Sequence, residues 1–348
     1  MKKVALLGGT RFIGYHLLRA LHREGYKVTI FNRGITPTPD TLPTNIKYIR
    51  GNRNRPEDFR NLFCQKFDTV FDLSGYTLNH VEPIVRNYRS SIGHYIFCST
   101  SSVYKTPPPC PSNEESPRFF TVNTYGGNKA LVENLLLKKY KEDRWPVTIV
   151  RPQGVFGPYD AHQAWFIFYR LLHSIPISVR PKENYRINFL YVNDLIEGFL
   201  LIMNNIISHG EVYCVAGDDV TSQLEFIELC EKVTSSKPVL HFVDNPVYDG
   251  LKVGVPWLEY DLVADNSKIK KELGLNFTPL ETALAKTLSW LIRNLEHQGS
   301  CWFRGERYVL RNRPIPKIVK AYWKLVDSNT WIINILKQQK WLRKWLRS

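Results

Sequence analysis

An apolar run that ends in glycines and passes directly into an amphipathic stretch begins the chain, KVALLGGTRFIGYHLLRAL at residues 3–21. A strand, a glycine turn and a helix in this order predict the first unit of a parallel sheet that binds a dinucleotide. The helix N-terminus would favour the charge of a pyrophosphate. Gly8, Arg11 and Gly14 stand in a G-x-x-G-x-x-G frame, so an arginine occupies the place of the middle glycine. Such a loop needs support from its context.

Apolar and β-branched runs recur along the chain after this turn. Five of them read KVTIFNRG, IKYIRGN, DTVFDLSG, HYIFCSTS and VTIVRPQGVFG. Amphipathic stretches such as YHLLRALHREG and NKALVENLLLKKYKED lie between the runs. This alternation predicts an α/β protein with a Rossmann-type, doubly wound parallel sheet that helices cover on both faces.

The end of the second predicted strand indicates which nicotinamide nucleotide is bound. A site for NAD normally places Asp or Glu there, because a carboxylate grips the ribose 2′-hydroxyl. Here the residues are Asn32 and Arg33, with no carboxylate nearby. Arg33 and Arg11 together suit a 2′-phosphate, which favours NADP(H) and leaves NAD as the alternative. In a purely structural interpretation, Arg33 is a solvated turn residue and Arg11 caps the loop.

A tyrosine and a lysine carry the catalytic signal. Tyr125 and Lys129 in NTYGGNKALVE are spaced i, i+4 at the start of a predicted helix, so they share one face. A nearby ammonium favours the phenolate, which predicts a lowered Tyr125 pKa and an acid/base role near neutral pH. The run FCSTSSVY adds hydroxyls at residues 99–102, where the fifth strand ends in the ligand crevice. The alternative is an ordinary surface pair on a helix.

Several motifs in order extend this pattern from residue 2 to about residue 292. They are DLSG (72–75), STSSVY (99–104), VRPQGVFGP (150–158), RINFLYVNDL (186–195) and DNSKIKKELGL (265–275). With the glycine turn and the Tyr125–Lys129 pair, the chain resembles the extended short-chain dehydrogenases/reductases of the NAD-dependent epimerase/dehydratase family. The motifs are specific for the family and much less so for the substrate.

The resemblance implies a division of the chain into interleaved parts. We expect a dinucleotide-binding domain at 1–158, to which 187–218 return. A smaller substrate-binding domain would combine 159–186 with 219–299, and a basic, Trp-rich helical extension would follow at 300–348. Relatives of this kind imply a homodimer.

The resemblance also implies roles for individual residues. Tyr125 would be the acid/base, Lys129 would hold the nicotinamide ribose, and Thr100 would supply the hydroxyl that contacts substrate. The expected cofactor-binding residues are Gly8, Thr10, Arg11, Phe12, Ile13, Gly14, Asn32, Arg33, Asn52, Ser74, Gly75, Lys129, Arg151 and Pro152. The expected substrate-binding residues are Thr100, Ser101 and Arg186, the last as a contact for a pyrophosphate.

Departures from the family pattern narrow the reaction. Family 4,6-dehydratases place Asp-Glu after the threonine and decarboxylases place Glu there, whereas this chain has Ser101 and Ser102. Dehydration is therefore disfavoured. Family epimerases retain NAD tightly, whereas Arg33 indicates exchangeable NADP(H). We therefore expect a reductase that acts on the ketone of a sugar-type substrate, with a nucleotide sugar as the leading option. A nucleotide-sugar 4-epimerase that retains NAD is the alternative.

A different class of function has to be weighed against an enzyme. The run GGTRFIG also resembles chloroplast stem-loop RNA-binding members of the family, and the net charge is +15. Residues 300–348 carry 12 basic and two acidic residues, a charge of +10, so the remaining chain carries only +5. An RNA-binding protein would not need the set of Tyr125, Lys129 and Thr100. Nucleic acid is therefore the less favoured partner.

The cysteines and the basic C-terminal residues indicate where in the cell the protein is found. The six cysteines form no CxxC pair, and neither they nor the nine histidines show the spacing of metal ligands. We therefore predict that the protein has no metal site and that its thiols are reduced, as in a cytoplasmic protein. The first apolar run is too short for a signal peptide. Residues 316–348 combine tryptophans with basic residues, which favours contact with a membrane surface or a protein partner. The alternative is an extra helix packed on the substrate domain.

Overall fold

The computed structural model of the protein describes residues 2–35, 43, 46–160, 163–179, 184–243, 247–248, 251–252 and 259–294. The strands are β1 (Lys3–Leu7), β2 (Lys27–Asn32), β3 (Lys47–Arg50), β4 (Phe67–Asp72), β5 (Ile92–Cys98), β6 (Val147–Pro152), β7 (Val155–Phe156), β8 (Ile177–Val179), β9 (Leu190–Tyr191), β10 (Val212–Val215), β11 (Leu240–Phe242), β12 (Val247–Tyr248) and β13 (Leu251–Lys252). The α-helices are α1 (Phe12–Arg23), α2 (Phe59–Phe63), α3 (Leu78–Asn87), α4 (Tyr125–Asp143), α5 (Gln163–Leu172), α6 (Val192–Met203), α7 (Gln223–Thr234), α8 (Ser267–Leu273) and α9 (Leu280–Arg293).

Seven strands form one sheet in the order β10-β6-β5-β4-β1-β2-β3. Every neighbouring pair in this sheet is parallel. The order reverses direction at β1, which is the switch point at which doubly wound sheets bind ligands. The predicted α/β, Rossmann-type fold is confirmed.

The residues of β1 show why helices cover both faces of the sheet. Side chains alternate along a strand, and Val4 and Leu6 pack in a core cluster that includes residues of α1 and α6. Ala5 and Leu7 belong to a second cluster on the other face, which includes residues of α2, α3 and α4. All four residues are at most 1% exposed. A strand buried on both faces is therefore uniformly apolar rather than alternating.

The second half of the chain contributes to both the sheet and a separate core. β10 pairs with β6 at one end of the seven-stranded sheet, so residues 212–215 lie in the same layer as the N-terminal strands. A third cluster joins α5, α7 and α9 with β8 and with residues around β9. The predicted strand VTIVRPQGVFG divides into β6 and β7, because Gly154 between them takes a φ of +46°.

The basic extension predicted at 300–348 lies outside the described residues. Among those that the structure does describe, no helix combines the length and the apolar character that crossing a bilayer would demand.

Candidate active site

A cavity of about 590 Å³ lies at the carboxyl ends of the strands around the switch point. Its volume is within the range of about 300–1,000 Å³ that is usual for small-molecule sites. The predicted cofactor-binding residues that line it are Gly8, Thr10, Arg11, Phe12, Ile13, Gly14, Asn32, Arg33, Asn52 and Ser74.

The glycine turn fits a dinucleotide in the two positions that retain glycine. Gly8 has a φ of +96°, and a Cβ on Gly14 would stand 2.8 Å from the carbonyl oxygen of Gly8. Both positions therefore need glycine to bring the N-terminus of α1 against the turn. Arg11 has a φ of −138°, an extended conformation open to any residue. The missing middle glycine is thus tolerated, and the Arg11 side chain lines the cavity.

Asn32 at the end of β2 stabilises the turn around the cavity. Its amide nitrogen donates a hydrogen bond to Oγ1 of Thr10 at 3.1 Å. Its Oδ1 accepts hydrogen bonds from the backbone N–H of Gly34 at 2.8 Å and from the Tyr48 hydroxyl. Arg33 follows Asn32 as an exposed residue that lines the same cavity.

An ion pair that the sequence analysis missed lies at the cavity, which Arg53 lines. The Arg53 guanidinium, 12% exposed, pairs with the fully buried carboxylate of Asp72. It also donates hydrogen bonds to Ser74 Oγ at 2.7 Å and to the carbonyl oxygen of His80 at 3.1 Å. Burial is the largest single effect and would raise the pKa of Asp72. The charge and hydrogen bonds of Arg53, the hydrogen bond from Tyr95 and the charge of Lys129 together outweigh it and hold that pKa below its usual value.

Tyr125 and Thr100 are brought together by close packing at the start of α4. Oγ1 of Thr124 caps the helix by accepting a hydrogen bond from the backbone N–H of Gly127 at 3.2 Å. A Cβ on Gly126 would overlap the carbonyl oxygen of Ser102, so glycine lets the helix N-terminus pack against the turn after β5. Tyr125 and Thr100 then interact through their hydroxyls.

The pKa of Tyr125 is raised to about 12, which makes the prediction of a lowered pKa wrong. Burial is the largest cause, even though 53% of the residue's surface is exposed, because the pKa responds to the surroundings of the oxygen. Negative charge on Cys98 and Tyr76 would add to the shift, and the hydrogen bond with Thr100 opposes it. In this conformation the tyrosine is a proton donor.

The described contacts of the Lys129 ammonium are with groups other than the phenolic oxygen of Tyr125. Its ammonium donates a hydrogen bond to the carbonyl oxygen of Cys98 at 2.6 Å. It also lies 4.6 Å from the ring centroid of Phe97 and 5.1 Å from that of Tyr76. The residue is 1% exposed, and burial lowers the pKa of its ammonium.

Tyr76, in the connection between β4 and α3, and His80, in α3, also line the cavity, and the sequence analysis missed both. Nδ1 of His80 accepts a hydrogen bond from the Tyr76 backbone N–H at 3.2 Å. The Tyr76 ring centroid lies 6.1 Å from that of Tyr125. No motif marks these residues, because only the strand ends bring them beside the glycine turn.

The structure corrects the role expected for Arg151 in cofactor binding. Its guanidinium is 1% exposed and pairs with the buried carboxylate of Glu133 at 2.8 Å. It also donates hydrogen bonds to the Tyr104 hydroxyl and to the carbonyl oxygen of Glu114. These contacts occupy the guanidinium inside the protein, so Arg151 supports α4 from within. Pro152 is buried beside it in β6.

Three other residues that were predicted to bind cofactor or substrate have different surroundings. The backbone of Gly75 approaches Asp72, since a Cβ there would stand 2.7 Å from Oδ2. Ser101 begins the short 3-10 turn Ser101–Val103 that follows Thr100. Arg186 is half-exposed and has its guanidinium 4.0 Å from the carboxylate of Glu225. Within the described part of the chain, none of these three is a lining residue of the cavity.

No metal centre accompanies the cavity in the portion of the chain that the structure describes, since no three His, Cys, Asp or Glu side chains meet in a suitable group. The doubly wound sheet, the glycine turn at its switch point and the Tyr125–Thr100 pair define a dinucleotide-binding protein of the short-chain dehydrogenase/reductase type. The family model described as "NAD dependent epimerase/dehydratase family" matches residues 4–216. The chain belongs to this family.

Individual relatives differ in their activities. The chloroplast stem-loop binding protein of 41 kDa b from Arabidopsis thaliana is 30% identical over 291 residues, which cover 78% of this chain and 74% of that protein. A UDP-glucose 4-epimerase from Neisseria meningitidis is 28% identical over 48% of this chain and 56% of its own length. The solved structure of the dTDP-glucose 4,6-dehydratase from Bacillus anthracis, in complex with NAD, has a TM-score of 0.72. It is 17% identical over 86% of this chain and 99% of that chain, which shows the shared fold.

Proposed function

We propose that the protein is an NADP(H)-linked oxidoreductase that reduces a ketone of a sugar-type, nucleotide-linked substrate. The observation that carries the proposal is a glycine-turn cavity, lined by Arg11 and Arg33, with Tyr125 beside it at 6.1 Å between ring centroids from the cavity-lining Tyr76. The first feature favours a phosphorylated dinucleotide, and the second provides a group that can give up a proton.

Charge at the end of β2 supports the choice of NADP(H). Asn32 stands where an NAD site places a carboxylate, and its side chain is engaged with Thr10 and Gly34. Arg11 and Arg33 bring two guanidinium groups to the same cavity. Guanidinium groups bind phosphate through charge-assisted hydrogen bonds, which suits a 2′-phosphate on the adenosine ribose.

The side chains support a reduction. Bound NADPH would supply a hydride to the carbonyl carbon of the substrate. Tyr125, with its pKa raised to about 12, would give its phenolic proton to the carbonyl oxygen, which becomes a hydroxyl. Thr100 would donate a hydrogen bond to the same oxygen, and Lys129 would hold the nicotinamide ribose. Tyr125 then recovers a proton from solvent.

The substrate class rests on the family and on the turn after β5. The name of the Neisseria relative, UDP-glucose 4-epimerase, supports a sugar nucleotide. The Oγ of Ser102 accepts a hydrogen bond from Thr100 at 3.3 Å, and Ser101 precedes it, so this turn offers no carboxylate for an elimination. We therefore propose reduction rather than dehydration.

Identification of the retained nucleotide tests the proposal. The freshly purified protein is denatured, and any released nicotinamide nucleotide is identified by mass spectrometry. Release of NADP(H), or uptake of NADPH in preference to NADH by protein that releases nothing, supports an exchanging reductase. Release of tightly held NAD would instead support the 4-epimerase, in which oxidation and reduction of the sugar form a closed cycle.

A second candidate function is binding of a stem-loop RNA. The Arabidopsis relative that bears this kind of name matches 78% of the chain, and the net charge is +15. Contacts between basic side chains and phosphates would give an affinity that falls steeply with salt. Salt-sensitive retention of a stem-loop RNA that persists in Tyr125→Phe would support this function. Protein that binds no nicotinamide nucleotide would also favour it.

The remaining expectations concern assembly and location. We propose a cytoplasmic homodimer, for which light scattering of the eluted protein gives the mass. Residues 316–348 lie outside the described residues, and we propose that they contact a membrane surface or a protein partner. Vesicle flotation of the full chain and of a chain ending at residue 315 tests the membrane contact, and equal flotation would contradict it.

A further inference from the structure

Three neighbours contact the ammonium of Lys129, and the residue is 1% exposed. The carbonyl oxygen of Cys98 accepts its hydrogen bond at 2.6 Å. The ring centroid of Phe97 lies 4.6 Å away and that of Tyr76 lies 5.1 Å away. Both ring distances are within the reach of a cation–π contact.

Of these three neighbours, Tyr76 is the most exposed. Phe97 and Cys98 are consecutive residues of β5, in the middle of the sheet, and are 0% and 7% exposed. Tyr76 lies in the connection between β4 and α3 and is 46% exposed. A close-packed interior resists displacement, whereas a half-exposed side chain can change rotamer.

Hydrogen bonds fix the main chain beneath the Tyr76 ring. Its backbone N–H donates to Nδ1 of His80 at 3.2 Å, which places the His80 proton on Nε2. Nε2 of His80 in turn lies 2.7 Å from Oδ1 of Asn54, so the ring of His80 is held from both sides. Movement of Tyr76 is therefore a rotation of the side chain on a fixed backbone.

The position of the ring separates the cavity from Lys129. Tyr76 lines the cavity beside Ser74, and its phenol is close enough to Arg11 for that charge to act on its pKa. On the other side, its ring lies 6.1 Å from the ring of Tyr125 and covers Lys129. A ribose that approaches Lys129 from the glycine turn meets this ring first.

We propose that Tyr76 is a positioning residue that covers Lys129 and turns aside when the nicotinamide ribose of the cofactor reaches the ammonium. The inference rests on the proposed function, because that function brings a nicotinamide nucleotide to the cavity. Part of the binding free energy of the cofactor is then used to displace the ring. Cofactor binding and uncovering of Lys129 become a single event.

Chemical labelling of Lys129 tests the cover without any reaction being catalysed. The full-length protein and its variants are acetylated for short times, and the peptide that contains Lys129 is quantified by mass spectrometry, with the exposed Lys47 as internal reference. Tyr76→Ala should raise the labelling rate of Lys129 by about 2-fold to 30-fold, the range of one cation–π contact. Tyr76→Phe keeps a ring and should label like the original protein.

Cofactor affinity gives an independent measurement by calorimetric titration with NADPH and with NAD. Tyr76→Ala should bind the preferred nucleotide more tightly, by the same factor of about 2 to 30, because no contact has to be broken first. Tyr76→Phe should bind it like the original protein. Tyr76→Leu, which retains apolar bulk, provides the comparison if the alanine variant is poorly folded.

The outcomes distinguish two hypotheses: that Tyr76 covers Lys129, and that the protein binds a nicotinamide nucleotide. Equal labelling of Lys129 in all variants overturns the cover, as does weaker nucleotide binding by Tyr76→Ala, which would make the ring a cofactor contact. If neither the original protein nor any variant binds a nicotinamide nucleotide, the proposed function is overturned. In that case the proposed displacement of the Tyr76 ring by cofactor is also overturned, whatever the labelling of Lys129 shows.

Discussion

The Arg53 guanidinium donates hydrogen bonds to both carboxylate oxygens of Asp72, at 2.8 and 2.7 Å. The pair joins the loop after β3 to the end of β4, and Asp72 accepts further hydrogen bonds from the Tyr95 hydroxyl and the backbone N–H of Ser74. Ser74 in turn donates a hydrogen bond to the carbonyl oxygen of Leu7. Three loops around the cavity are thus connected through one buried carboxylate.

Removing Arg53 alone should destabilise the protein strongly. Arg53→Met leaves the Asp72 carboxylate buried without its partner, a change that typically costs about 3–5 kcal/mol in the free energy of unfolding. Urea denaturation measures the loss. The double variant Arg53→Met, Asp72→Leu should recover most of it, because no uncompensated charge remains. A single variant as stable as the original protein would contradict a structural role for the pair.

Arg33→Asp should change the cofactor preference towards NADH. The carboxylate would repel a 2′-phosphate and accept a hydrogen bond from a free 2′-hydroxyl. We expect the ratio of the two dissociation constants to change by about 10-fold or more, the effect of losing one charged hydrogen bond. Fluorescence titration with both nucleotides measures the ratio. Arg55→Asp, at an exposed position that does not line the cavity, is the matched control.

Tyr125→Phe should abolish most of the reduction while leaving cofactor binding intact. Loss of a general acid lowers kcat by about 10²- to 10⁴-fold. The ring remains, so the contact with Tyr76 at 6.1 Å between centroids is preserved. Single-turnover oxidation of bound NADPH by a keto-sugar nucleotide measures the rate. An unchanged rate would remove Tyr125 from the mechanism.

The stability of the fold should fall as the pH decreases from about 6.5 to about 3, in part through His94. Burial and the neighbouring His209 lower the His94 pKa to about 3. Its Nε2 donates a hydrogen bond to the Thr148 hydroxyl, and its ring lies 4.4 Å from that of His209. The unfolded chain therefore binds one more proton in this window, so stability rises with pH by up to about 1.4 kcal/mol per pH unit.

His94→Gln isolates this contribution, because the amide can still donate to Thr148. Urea denaturation at a series of pH values gives the change of the unfolding free energy with pH. In His94→Gln this slope should correspond to up to one bound proton fewer than in the original protein. Equal slopes in the His94 variant and the original protein would contradict the lowered pKa of His94.

The sequence by itself determined the strands, their alternation with helices and the glycine turn. These features follow from local chemistry: apolar runs, periodicity, and glycines such as Gly8, which has a positive φ, and Gly14, where a Cβ would meet the backbone. The i, i+4 spacing of Tyr125 and Lys129 and their place in a family pattern were also visible in the sequence. The location of most of the predicted cofactor-binding residues at one cavity follows from the rule that strand ends meet at one edge.

The tertiary structure decided which side chains meet at that edge. Arg53 and Tyr76 follow different strands and carry no motif, so only the order of the strands brings them beside the glycine turn. Arg151 stands in a family motif, yet the buried carboxylate of Glu133 binds it away from the cavity. Burial raises the Tyr125 pKa, and the carbonyl oxygen of Cys98 holds the Lys129 ammonium. Spacing along the chain fixes neither, because both result from contacts between residues far apart in sequence.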